Sequence, residues 1–399
     1  MGKKHTVGVF LRRHWKEIIC FLGPIAVMLA YNLLAYGFFA DISPDARLYM
    51  SIADNFLSTG HFHETARGGE YVVPFGFPLI LTVFRLFRLS VNGIAAIQYL
   101  MLGGTCLLLY KTEENLFGRG GIAPVIYVLM LVRIHLITGY LYVEHYYLFL
   151  LAWMLWLLSN REMSPVKRIL WLNAAGFGAF TIRTVLIAVY VPILIYTVFL
   201  WEKKRLPGKW MVLALLIPCL VLGINTAVNH RETGHWIVTD NYSGADLYTA
   251  NNPNTKTVHY NSALLPDFVD GEYDAVQADT SLDFTEKNAL LGDMAKQWAR
   301  ENPGAFLKNT AVKFISLFIT YWKFLLIPAF LGAAAWIIQK RDRLLLAVTA
   351  VGLLLAVVTS AGLIMGRYAA PVIPLTGLQY SAGLCLVRSL LNKKKPVQS

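Results

Sequence analysis

Apolar runs separated by polar stretches recur along the chain, at residues 18–40, 92–110, 122–138, 145–159, 168–182, 185–200, 210–229, 310–338, 344–361 and 370–390. About 20 mostly apolar residues suffice for a helix to cross a bilayer, so the pattern predicts an all-α integral membrane protein of about ten spans. Two longer segments interrupt it, residues 41–91 and about 230–308. In the first, Ser43 suits a helix N-cap, Pro44 the first helical position and Asp45 the first turn. Leu48, Tyr49, Ile52, Ala53, Phe56 and Leu57 then recur on one face, and Thr59-Gly60 ends the pattern. An amphipathic helix of about four turns beside a span is expected to lie in the membrane interface. Phe77 to Leu89, with Arg85 and Arg88 among Leu and Phe, predicts a second. No internal repeat stands out, which disfavours an inverted-repeat transporter.

Composition sharpens this picture. Of 399 residues 56% are hydrophobic and only 15% charged, against about 25% charged in soluble domains. With a mean hydropathy of +0.51, a water-soluble globule and a disordered chain are both excluded. The net charge of +12 is unevenly spread: residues 227–308 hold 12 acidic and 6 basic residues, leaving 30 basic and 12 acidic elsewhere. Basic clusters at Lys3–Lys16, Lys111–Arg119, Arg161–Arg168, Lys203–Lys209, Lys340–Arg343 and Lys393–Lys395 punctuate the chain at the ends of predicted spans. Placing all six in the cytoplasm satisfies the positive-inside rule with ten spans, both termini inside and the two long segments outside. The positive charge is thus a topology signal and not a nucleic-acid surface. Cys20, Cys106, Cys219 and Cys385 lie in apolar stretches and read as small buried residues. The apolar run from Ile18 to Ala40 is too long for a signal-peptide core and reads as an uncleaved first span.

Several motifs follow one another in order. Pro44-Asp45 opens PDxxxYxxxAxxxxxxG, and Pro74 opens PxGxPLxL. Glu144 stands at the outer start of the fourth span and Arg183 in FTIRTVLIAVYVP. Then come NHRETGHWIVTDNYSGADLYTANNPNT, ARENPGAFLKNTAVKF and MGRYAAPVIP. Together they resemble the GT-C glycosyltransferases, multi-span enzymes that take sugars from polyprenyl-phosphate donors, in the branch of the protein O-mannosyltransferases and the aminoarabinose transferase of lipid A. The resemblance implies a GT-C-like fold as a single membrane domain, and catalysis by an Asp at the start of the first outer helix, here Asp45. It implies substrate contacts at Tyr49, Glu144, Arg183, Arg367 and Tyr368. Where the family has Asp-Glu this chain has Asp45-Ala46, and where it has Lys-Pro-Pro this chain has Val73-Pro74-Phe75. A second carboxylate and a lysine contact to the donor phosphate are therefore not expected at those positions.

The implied chemistry suits these residue types. A hydroxyl attacking an anomeric carbon must lose a proton, which a carboxylate can take. The transition state is oxocarbenium-like, and the leaving phosphate gains charge that guanidinium groups stabilise. With one base and no nucleophilic carboxylate, inversion is expected. The implied partners are a polyprenyl-phosphate-linked sugar, the bilayer and a lipid, glycan or protein acceptor, with the site on the outer face of the plasma membrane. Each residue also has a plainer role: Asp45 as a helix-dipole charge, the arginines as ion pairs or snorkelling side chains, Tyr368 as a belt aromatic, and Glu144 as a hydrogen-bonded partner of His145. His61, His63 and Glu64 form an HxHE cluster that could bind a divalent metal but reads more readily as a polar loop, so no cofactor or metal is expected. The rival functions are a ligase or polymerase acting on a lipid-diphosphate donor, and a lipid-linked sugar flippase. The scarcity of outer Lys and Arg disfavours the first. The absence of paired mid-membrane charges disfavours the second.

Overall fold

The computed structural model describes residues 2–35, 37, 40–64, 70, 72–134, 136, 140–205, 207–254, 271–316, 326–340, 342–362 and 370–393. In chain order the helices are α1 (Gly2–Ala35), α2 (Pro44–Thr59), α3 (Gly76–Leu86), α4 (Val91–Phe117), α5 (Ile122–Arg133), α6 (Glu144–Ser159) and α7 (Pro165–Ile182). A 3-10 turn (Thr184–Val189) runs into α8 (Tyr190–Glu202), followed by α9 (Lys209–Thr233), α10 (Ser243–Ala250), α11 (Gly271–Ala278) and α12 (Phe284–Glu301). The chain closes with α13 (Pro303–Ser316), α14 (Leu326–Lys340), α15 (Arg343–Ala361) and α16 (Ile373–Lys393). Among the described residues there is no strand, and Asp41 and Tyr140 form an isolated bridge.

Six stretches are long and apolar enough to cross a membrane: Leu11–Ala35, Val91–Phe117, Thr184–Glu202, Val212–Thr233, Arg343–Ala361 and Ala370–Leu391. Gly76–Leu86, Ile122–Arg133 and Ile327–Lys340 are shorter apolar helices. Every run expected to span holds helix; within 310–338 the helix is described up to Ser316 as α13 and from Leu326 as α14, and residues 317–325 lie outside the described residues. Leu33 and Leu34 on α1, Leu215, Leu216 and Leu220 on α9, and Leu331 and Ile338 on α14 are all exposed. A surface of this kind belongs in hydrocarbon. The chain is therefore an all-helical, multi-pass membrane protein.

The bundle is joined by α4 against α1 and α6, α6 against α7, and α16 against α5 and α14. Where α14 crosses α16, a Cβ added at Gly332 would stand 2.6 Å from Gly383 Cα, so the two backbones touch and only glycine fits. The acidic segment is not one loop. Tyr248 on α10, Val276 on α11, and Leu291 and Ala295 on α12 form a small apolar core of their own. A capping box between Asp283 and Glu286 starts α12.

The amphipathic helix after the first span forms as its sequence predicts. Ser43 caps α2 by accepting from the Ala46 N–H, Pro44 begins it, and Gly60 ends it at φ 79°, a left-handed conformation that glycine adopts without strain. The Ser43 hydroxyl also donates to the Leu141 carbonyl at 3.0 Å. Ser43→Ala removes both bonds and is expected to cost about 1–2 kcal/mol, read as a lower melting temperature of the purified protein.

Candidate functional site

Two helix starts are brought together at one end of the bundle. The backbone before α2 runs beside the backbone before α6: Leu141 N–H donates to Asp41 O at 3.1 Å, and Ser43 Oγ reaches Leu141 O. Gln98 on α4 fixes the same stretch, donating to Tyr140 O and accepting from Tyr142 N–H, each at 2.9 Å. Asp45, in the first turn of α2, and Glu144, in the first turn of α6, are thereby neighbours in the architecture although about a hundred residues apart in sequence. Both carboxylates sit where the helix dipole favours negative charge. Asp45 is half-buried. Tyr49 lies one turn along the same face and is nearly buried, its ring edge-on to Phe77 with centroids 5.0 Å apart.

Arg183 is the centre of the arrangement. It follows the last residue of α7 in extended conformation, φ −141° and ψ 115°. Its Nη2 donates to Glu144 Oε1 at 3.3 Å; the Glu144 side chain is 1% exposed and that of Arg183 is 23% exposed. Tyr49, Glu144, Tyr242 and Tyr147 all interact electrostatically with the guanidinium. Glu144 Oε2 is buried with no hydrogen-bond partner among the described residues. The guanidinium is thus partly exposed and paired with a buried carboxylate, a cation of the planar, multi-donor kind that suits an anion.

The end of α7 is held against α3. A Cβ built on Gly76 would lie 2.5 Å from Thr181 Oγ1 and 2.6 Å from the Thr181 carbonyl carbon, so the α3 backbone rests on α7 two residues before Arg183. Gly76→Val is expected to force this contact apart at about 1–3 kcal/mol or more and to lower activity with it, measurable as reduced folded yield and transfer.

The fourth wall is the segment after α9. Asn225 and Asn229, both buried, point from α9 into it: Asn225 Nδ2 donates to Val238 O and Thr239 O at 2.7 Å, and Asn229 Nδ2 to Ile237 O and Thr239 O at 3.0 and 3.1 Å. Asn225 Oδ1 accepts from Phe75 N–H and Asn241 Oδ1 from Val72 N–H. These amides tie the start of α3 to the segment and set Asp240 and Tyr242 toward Arg183. Burial pushes the Asp240 carboxyl up, against the opposing N–H donors of Ser243 and Tyr242 and the charge of Arg183.

Of the residues read from sequence, Tyr49, Glu144 and Arg183 meet, and Asp45 stands one turn from Tyr49. Arg367 and Tyr368 lie outside the described residues. Asp240 and Tyr242 were not singled out in the sequence, although the TDNYSGADLY motif that contains them was. The carboxylate that joins His61 and His63 is Glu232, at the end of α9, and not the adjacent Glu64.

No family model and no curated protein matches the sequence. Among solved structures the chain is similar to the crystal structure of ArnT from Cupriavidus metallidurans bound to undecaprenyl phosphate, with a TM-score of 0.51 and 16% sequence identity. The match covers 92% of this chain and 60% of that one, so this chain spans about three-fifths of its neighbour's length. The likeness covers nearly the whole chain, and it shows that this protein shares the overall fold of that protein, as the motifs predict.

Proposed function

We propose that the protein is an inverting glycosyltransferase that moves a sugar from a polyprenyl-phosphate carrier to an acceptor on the outer face of the membrane. The observation that carries this reading is the partly exposed Arg183, paired with buried Glu144 and interacting electrostatically with Tyr49, Tyr147 and Tyr242, in a fold whose solved neighbour is bound to undecaprenyl phosphate. Arg183 meets the donor phosphate on its solvent-exposed side, with Glu144 behind it. It stabilises the charge that grows on the phosphate as the glycosidic bond breaks, and so acts more on the transition state than on the ground state. Asp45 accepts the proton of the attacking acceptor hydroxyl. Tyr49 shapes the wall between them, and Arg367 and Tyr368 are assigned to the donor phosphate on their motif. Glu144, being buried, is a positioning residue for Arg183.

The test is mass spectrometry of cell-envelope lipids and glycans from a deletion strain carrying either the wild-type chain or an empty vector. One saccharide mass that disappears on deletion and returns with the wild type identifies both sugar class and acceptor. An unchanged profile, together with no binding of polyprenyl-phosphate sugars to the purified protein, overturns the reading.

A further inference from the structure

A second constellation lies away from the Arg183 centre, where the segment leaving α2 meets the last turn of α9. His61 and His63 are separated by one residue. In the non-helical backbone that follows Gly60 their rings come to the same side, with centroids 5.6 Å apart, while Phe62 between them turns inward and stacks edge-on against Phe56 at 5.0 Å. Both imidazoles aim at one atom: His63 Nδ1 is 2.8 Å and His61 Nδ1 3.1 Å from Glu232 Oε2. The Glu232 side chain is 1% exposed, that of His63 14% and that of His61 51%. The three potential ligand atoms lie within 4.8 Å of one another.

We infer that His61, His63 and Glu232 form a binding site for a divalent ion of the zinc type. Two imidazole nitrogens and one carboxylate oxygen are a zinc donor set. Ligand atoms at about 2.0–2.1 Å from a tetrahedral ion stand about 3.3 Å apart, so the two imidazole-to-carboxylate separations need open by only about 0.5 Å or less. The half-exposed side of His61 leaves the fourth position to water. Arg231 does not fill the site: its Nε approaches the other oxygen of Glu232, at 3.8 Å from Oε1, and its Nη2 is engaged with Gly60 O. His230 is turned away, its ring stacked on Trp236 with centroids 4.0 Å apart. Two imidazole hydrogen bonds converge on one carboxylate oxygen, and Asn55 Nδ2 donates to the His63 carbonyl beside them at 2.9 Å. One ion takes the place of the two imidazole–carboxylate hydrogen bonds, each neutral imidazole carrying its proton on Nε2, and links residues 169 and 171 positions apart, joining the far end of the helix that carries Asp45 to the helix that leads to Asp240. The ion is a brace for the site, and its presence does not depend on the transferase reading.

A second cluster, His235, Asp283 and Glu286, is more exposed. Its two carboxylates already serve the cap of α12, so it carries no site, and it is removed from the test by working in a His235→Ala background. The full chain is purified in detergent, stripped with a chelator, loaded with Zn²⁺ alone and desalted. Metal content and the melting midpoint are then read with and without the ion. The expected result is about one zinc per chain and a midpoint several degrees higher, with both lost in His61→Ala/His63→Ala. Zinc retention no greater than in that double variant, or a midpoint that zinc does not move, would show a hydrogen-bonded clamp only and overturn the site. Should the double variant fail to fold, His61→Ala alone, at a half-exposed position, decides on the same two readings.

Discussion

Asp45→Asn is expected to reduce sugar transfer by at least about 10²–10⁴-fold, the usual worth of a positioned general base, while the protein accumulates in the membrane at wild-type levels. The two halves of this expectation have separate physical grounds. Asn keeps the shape of Asp and its preference for the first turn of a helix, and the cap of α2 is made by Ser43, not by Asp45. The helix-dipole interaction that the substitution removes is worth about 0.3–1 kcal/mol. The chemistry loses the only atom on α2 proposed to take the acceptor proton. Transfer measured in membranes, normalised to protein level by immunoblot, decides the matter. Activity within tenfold of wild type at normal abundance would remove Asp45 from the base role, and Asp240, the carboxylate set toward Arg183, would be the next residue to test.

The second large effect concerns Arg183 and Glu144, and it separates structure from catalysis. Removing one member of a buried ion pair leaves the other charge uncompensated, at about 3–5 kcal/mol. Arg183 keeps some contact with solvent and Glu144 almost none, so Arg183→Met is expected to be the more damaging single change, because it strands the buried carboxylate. Glu144→Gln should cost less, since the released guanidinium can turn outward. Arg183→Met combined with Glu144→Gln removes both charges and should recover much of the lost stability. It should not recover transfer, because the phosphate contact is gone. Thermal melts of all four proteins, set beside their transfer rates, give the result. A double variant that regains both stability and activity would reduce the pair to a structural element.

The helical architecture could be read because it rests on local patterns. The Ser43-Pro44-Asp45 start and the Thr59-Gly60 stop of α2 are short-range signals, and the structure places both ends where they predict. Apolar runs locate helices for the same reason. What they do not give is tertiary packing: the acidic segment reads as one outer loop, yet α10, α11 and α12 share a small apolar core. The site was legible only in pieces. Asp45, Glu144 and Arg183 could be picked out as charges at the ends of apolar runs, but nothing local says that Arg183 pairs with Glu144. Asp240 and Tyr242 were hidden because their placement depends on amides from Asn225 and Asn229, a tertiary arrangement without a local period. The HxHE cluster shows the same limit from the other side. Proximity in sequence suggests Glu64 as the carboxylate, whereas the fold supplies Glu232 from the end of a distant helix.

Asparagine side chains, not strand pairing, hold residues 237–241 in place. Uncharged amides of this kind are insensitive to pH and to salt, and they hold the backbone from inside the bundle. The conformational entropy of that wall is therefore surrendered when the chain folds and not at each encounter with a substrate. Under the proposed function, a carrier lipid arriving from the bilayer would meet this part of the wall already shaped.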